Sequence, residues 1–168
     1  MSMKLLGFIT GLIVALVLVM IIKSKATKTM KTFDERQMVE RANAFKIAYW
    51  VLAFFVCMYG ILMSVDGALV TYLGTVGLFS GFFLSVAIFA IVCIWKEAYQ
   101  GINENKNWLL IGLIGVMNIV VFIYDTMKYG FVEDGALSFH CINLECGILM
   151  VVVLVTYMLK KQLDKRED

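Results

Sequence analysis

Read for hydrophobicity alone, the chain alternates between long uncharged runs and short charged ones, and the runs number five. They are Leu5–Ile22, Ile47–Val65, Leu69–Trp95, Trp108–Tyr124 and Cys141–Leu159, of 18, 19, 27, 17 and 19 residues. Each reaches the roughly 17 residues that carry a helix across hydrocarbon. Backbone polar groups in lipid must bond within their own segment, so an uninterrupted apolar run of this length predicts a helix. Membrane β-strands would alternate in polarity, and these runs do not. The third run would be about 40 Å long at 1.5 Å per residue, which requires tilt or protrusion. The expectation is therefore all-α: an integral membrane helix bundle of five transmembrane helices forming a single domain over residues 1–168. A basic linker and capped helix start fill 23–46, and a charged tail fills 160–168. Leu5–Ile22 lacks an A-x-A-like site before the lysines that follow it, so it reads as a retained anchor rather than a signal peptide.

Charge adds orientation. Of the 15 Lys and Arg residues, thirteen fall in 23–46, the loop after the third run and the tail, leaving only Lys4 and Lys128 on the other side. The positive-inside rule puts the N-terminus outside and the C-terminus in the cytoplasm. The composition agrees with a membrane protein: 61% hydrophobic, 17% charged, and mean hydropathy +0.86. A net charge of +2 and the lack of any basic–aromatic module argue against nucleic acid. Proline is absent, so straight helices are the default and the broken helices of many transporters are less expected. Asp66-Gly67-Ala68-Leu69 recurs as Asp134-Gly135-Ala136-Leu137, each before an inward-running segment. This suggests a tandem repeat of two hairpins, the second and third runs matching the fourth and fifth; an N-capping Asp beside a turn Gly explains the same pattern locally.

Four groups of residues are candidates for function. Asp34, Glu35, Arg36, Gln37 and Arg41 precede the second run and carry an N-terminal capping pattern, either Thr32 with Glu35 or Asp34 with Gln37. They form either a solvated helix start or a docking face for a protein partner. Within the bilayer, Glu145 lies about 6 Å below the outer boundary of the fifth run. With Asn118, Asp125 and Asn143 it is expected to line a polar pocket that binds a proton or a cation, the plainer expectation being pairing with Lys128 or His140. Lys23, Lys25, Lys28 and Lys31 suit contact with anionic lipid headgroups. Gly7–Gly11 and Gly77–Gly81 have the spacing that brings helices close, within the chain or in a homo-oligomer.

Other chemistry finds little support. Cys57 and Cys93 lie in apolar runs as small hydrophobes. Cys141 and Cys146 are roughly 140° apart on a helix, so a disulfide between them would need the helix broken. One His among these cysteines and acids has no zinc spacing, and it removes most hydrolase designs. Neither cofactor nor metal is expected, and no catalytic residue is assigned.

Phe33-Asp34-Glu35-Arg36-Gln37 with Arg41, Ala42 and Lys46 resembles the signature of a group of small uncharacterised bacterial multi-pass membrane proteins carrying a "DERQ" motif. Ile94-Trp95-Lys96-Glu97-Ala98-Tyr99-Gln100-Gly101 and Asn143-x-x-Cys146-Gly147-Ile148 resemble that group as well. The resemblance implies a bacterial plasma membrane and brings no activity. The leading functional expectation is an accessory or regulatory protein acting through partner contacts. A small transporter or channel subunit, proton-linked through Glu145, comes second, and an enzyme last.

Overall fold

The computed structural model describes residues 33–65, 67–99 and 108–167. Leu5–Ile22, the Lys23–Lys31 cluster, the Gly7–Gly11 pair and Thr32 lie outside the described residues. Those described form four helices, α1 (Glu35–Val65), α2 (Gly67–Trp95), α3 (Trp108–Tyr129) and α4 (Cys141–Glu167). Between α3 and α4 a small hairpin pairs β1 (Val132–Glu133) with β2 (Ala136–Leu137). All four helices are long and apolar enough to cross a membrane. Large apolar side chains such as Trp50, Phe54, Val120 and Tyr124 face outward. Such extended apolar exposure would drive a soluble protein to associate, whereas in lipid it is solvation.

Each helix start and end has a local cause. Asp34 caps α1: its Oδ1 accepts the Gln37 N–H at 2.6 Å, and its own N–H reaches Gln37 Oε1 at 3.4 Å. Of the two starts the sequence allows, this is the Asp34–Gln37 one. α1 then runs unbroken for 31 residues, about 46 Å. α2 is where the expectation of straight helices fails. Gly74 sits at φ 53°, ψ −140° and kinks the helix, a conformation that glycine alone adopts without strain. Residues 75–95 remain as a straight piece about 31 Å long, close to the hydrocarbon thickness, which removes the excess length of the third run. The carbonyl of Gly74, released from the helix ladder, accepts the Tyr59 hydroxyl at 2.7 Å.

Asp134 and Gly135, at φ 52° and 81°, form the two-residue turn of the β-hairpin, the Asp-Gly pair that a type I′ turn favours. Gly67, in the earlier copy of the same four residues, opens α2 instead. Gly67 and Gly135 therefore do different local work.

The helices pack in the order α1, α2, α4, α3. The α1–α2 pair is antiparallel, with Gln37 against Glu97, Ala48 against Ser85 and Tyr59 against Gly74. Gly77 and Gly81 make the close approach possible: a Cβ on Gly81 would stand 2.1 Å from the Phe55 ring, and one on Gly77 would stand 3.0 Å from Tyr59. This pair of glycines is consumed inside the chain, so it is not a free homo-oligomer face. Gly115 and Gly147 play the same part between α3 and α4, beneath Met150 and Ile119. The two hairpins meet along α2 and α4, which run parallel around a core of Ala90, Ile94, Leu149 and Val153.

Candidate functional site

Glu145 lies one turn into α4, half-buried, with its Oε1 accepting the Ser80 hydroxyl from the middle of α2. Its second oxygen, Oε2, is buried and has no hydrogen-bond partner among the described residues. Ser80 Oγ also stands 3.2 Å from the Val76 carbonyl of its own helix. From this acid–hydroxyl pair an apolar groove of about 320 Å³ runs between α2 and α4, lined by Phe83, Leu84, Ala87, Ile88, Ile91, Ile148, Leu149 and Val152.

The four residues expected to share a polar pocket are not brought together. α3 packs on the Gly147 side of α4. Gly147 and Asn143 are each two residues from Glu145, roughly 200° around the helix. Glu145 therefore faces α2, while Asn118 and Asp125 belong to the opposite side of α4. The Asn118 amide returns to the Ile114 carbonyl of its own helix at 2.9 Å. The expected pairing of Glu145 with Lys128 or His140 is absent too. His140 Nδ1 stands 2.9 Å from the Ser138 hydroxyl, and Lys128 lies over the Tyr129 ring at 4.8 Å. Among the described residues no group of three or more His, Cys, Asp or Glu is placed to hold a metal ion.

A second constellation sits at the other end of α2. That helix finishes in a Schellman turn, with Ala98 N–H bonding Cys93 O at 2.8 Å and Glu97 N–H bonding Ile94 O at 3.1 Å. The left-handed position, usually glycine, is Glu97 at φ 56°. α1 secures this turn: Gln37 Nε2 donates to the Glu97 carbonyl at 2.8 Å and Arg41 donates to the Ala98 carbonyl at 3.0 Å. The Arg41 guanidinium also stacks over Phe33 at 4.4 Å. From α4, Lys160 pairs with Glu97 at 3.4 Å and with Asp164 at 2.5 Å. Asp34, Gln37 and Arg41 are thus engaged within the chain, whereas Glu35 and Arg36 are exposed. Beside the turn a cleft of about 420 Å³ is walled by Tyr99, Trp108, Tyr157 and Lys160, with Trp108 stacked on Tyr157 at 3.6 Å. Burial pushes the Tyr99 hydroxyl above the usual tyrosine range, with Cys93 adding to the shift and Arg41 opposing it, so Tyr99 is neutral here.

Sequence reasoning marked Glu145 but missed Ser80. Its one signal was a hydroxyl midway along an apolar run, which most often bonds back to its own helix. No protein-family model, curated protein or solved structure matches this chain.

Proposed function

We infer that this multi-pass membrane protein is a small transporter or channel subunit in which Glu145 exchanges a proton or a cation. One observation carries the reading: a carboxyl inside a spanning helix has one oxygen bonded to Ser80 and the other buried without a partner among the described residues. A carboxyl placed among apolar side chains is costly to maintain and commonly marks an ion or proton path. The wider frame of the reading is a bacterial plasma-membrane protein of the "DERQ" kind, with five spans once Leu5–Ile22 is counted, N-terminus outside and C-terminus cytoplasmic. The pairing of helices into two antiparallel hairpins supports a duplicated origin, although Gly67 opens a helix where Gly135 lies in a hairpin turn.

The test is proton flux into liposomes containing the purified protein and a trapped pH dye. Glu145→Gln is expected to abolish the flux and Glu145→Asp to retain part of it. A Glu145→Gln protein that conducts like wild type at every pH would make the carboxyl structural and end this reading.

A second reading, an accessory or regulatory protein contacting a partner at the cytoplasmic face, is favoured by Glu35 and Arg36. These two members of the motif face solvent while their neighbours hold the Schellman turn. Full flux from the protein alone in liposomes would argue against it.

A further inference from the structure

We propose that the groove between α2 and α4 binds a lipophilic organic cation, its charge against Glu145 and its apolar body along the helix seam. The proposal rests on the exchange reading above and names the ligand class.

The groove has one ionisable group at one end and hydrocarbon along the rest: Phe83, Leu84, Ala87, Ile88 and Ile91 from α2, and Ile148, Leu149 and Val152 from α4. Its volume, about 320 Å³, falls at the lower end of the range for small-molecule sites. Inorganic cations need several oxygen ligands to replace their water, and among the described residues lining the groove the polar side chains are Glu145 and Ser80. Anions would meet a carboxyl, and a neutral lipid would leave a carboxylate unpaired. An organic cation with dispersed charge is weakly hydrated, since the cost of leaving water falls as ionic radius rises. Its body also gains from burial against Phe83, Ile88 and Ile148.

The hydrogen bonds explain why a proton and such a cation would be alternatives. Ser80 has one hydroxyl hydrogen but two acceptors within reach, Val76 O and Glu145 Oε1. With Glu145 protonated, its own O–H can donate to Ser80 Oγ, and Ser80 then keeps its bond to Val76. With Glu145 ionised, Ser80 turns to the carboxylate, and Oε2 is left for a positive charge. Binding therefore takes one cation from solution and returns one proton to it. The Cys141 thiol, one turn earlier on α4, is in electrostatic reach of Glu145. From the facing helix, α2 carries no Asp, Glu, Lys, Arg or His between Gly67 and Trp95. At the adjoining hairpin, Glu133 and His140 both engage Ser138. Among the described residues no cation is paired with the carboxylate.

The experiment titrates tetraphenylphosphonium, and separately neutral triphenylphosphine oxide, into the detergent-solubilised full chain. Calorimetry in buffers of different ionisation enthalpy reads the proton released. Tetraphenylphosphonium is expected to bind with release of up to one proton, more tightly as pH rises, and at least tenfold more weakly to Glu145→Gln. Glu145→Asp should bind with intermediate affinity, and Asp134→Asn, at the exposed hairpin turn, should bind like wild type. Ile148→Trp, which fills the groove and leaves the carboxyl in place, should bind the phosphonium at least tenfold more weakly than wild type. Equal binding of the charged and neutral probes, or undiminished binding by a folded Glu145→Gln protein, would overturn the proposal. Glu145-dependent flux without phosphonium binding would remove this ligand class and leave the exchange reading standing. Loss of both would remove both.

Discussion

Replacing Arg41 with Ala tests whether the turn at the end of α2 is held from α1. Arg41 donates to the Ala98 carbonyl at 3.0 Å, and Ala98 is fully buried. A hydrogen bond from a charged donor is worth about 1.5–3 kcal/mol, and an orphaned buried carbonyl is costly in its own right. Opening of the turn should therefore become easier by about 1.5–3 kcal/mol, or roughly ten- to hundredfold in population at 1.4 kcal/mol per decade. A reporter is built in. Cys93, whose carbonyl receives the Ala98 N–H, is 0% exposed, so its thiol reacts only when the turn opens. N-ethylmaleimide labelling in nanodiscs, resolved peptide by peptide, should run at least tenfold faster at Cys93 in Arg41→Ala. Labelling of both proteins after unfolding in SDS should be equal and corrects for reagent activity and peptide recovery. Arg41→Lys should recover part of the protection, because an ammonium donates but lacks the planar fork and the stack on Phe33. A Cys93 rate within threefold of wild type would show that α2 closes this turn unaided, and the assigned role of Arg41 would fall.

Two further substitutions probe the α1–α2 seam, each read as a shift in the SDS-induced unfolding midpoint. Gly81→Ala puts a methyl 2.1 Å from the Phe55 ring and should cost about 1–3 kcal/mol by overpacking; adding Phe55→Leu should return part of the loss, and no rescue would mean the ring is not the obstacle. Gly74→Ala forces a side chain into φ 53°, ψ −140°, with strain of about 1–3 kcal/mol; an unchanged or raised midpoint would mean the kink is not required.

The apolar runs announced the helices because spanning length is a property of composition, and Ile47–Val65, Leu69–Trp95, Trp108–Tyr124 and Cys141–Leu159 each fall inside one. α3 continues to Tyr129 because Asp125 and Lys128 sit near its end, where polar side chains do not oblige a helix to stop. The kink at Gly74 was illegible: the same apolar run holds Gly77 and Gly81, which stay helical and serve packing, and no local feature separates the one from the others. The Schellman turn was hidden because its left-handed residue is Glu97 where glycine is usual. Helix phase placed Glu145 on a definite face, but phase does not say which neighbour that face meets. α2 and α4 touch across the whole of α3 in sequence, so the Ser80 contact could not be read from spacing. Likewise, the stretches from Phe33 and from Ile94 each stood out alone, while the bonds joining them span some sixty residues.

The packing also indicates where the bundle is least firmly tied. α1 and α2 are locked by Gly77 and Gly81 beneath aromatic rings, by Tyr59 on the Gly74 carbonyl, and by Gln37 and Arg41 on the Schellman turn. α3 and α4 are locked through Gly115, Gly147 and the Trp108–Tyr157 stack. Between these two hairpins the polar ties among the described residues include Ser80–Glu145 at the middle of α2 and Glu97–Lys160 just past its C-terminal end. The latter is exposed on the Glu97 side and, like other surface ion pairs, a weak tie. The former depends on which partner holds the Ser80 hydrogen. Because α2 and α4 run parallel, sliding one along the other must break both ties together, whereas each hairpin can move as a rigid unit. A change of charge at Glu145 therefore acts on the interface with the fewest locks, and the groove proposed to receive the cation lies along that same seam.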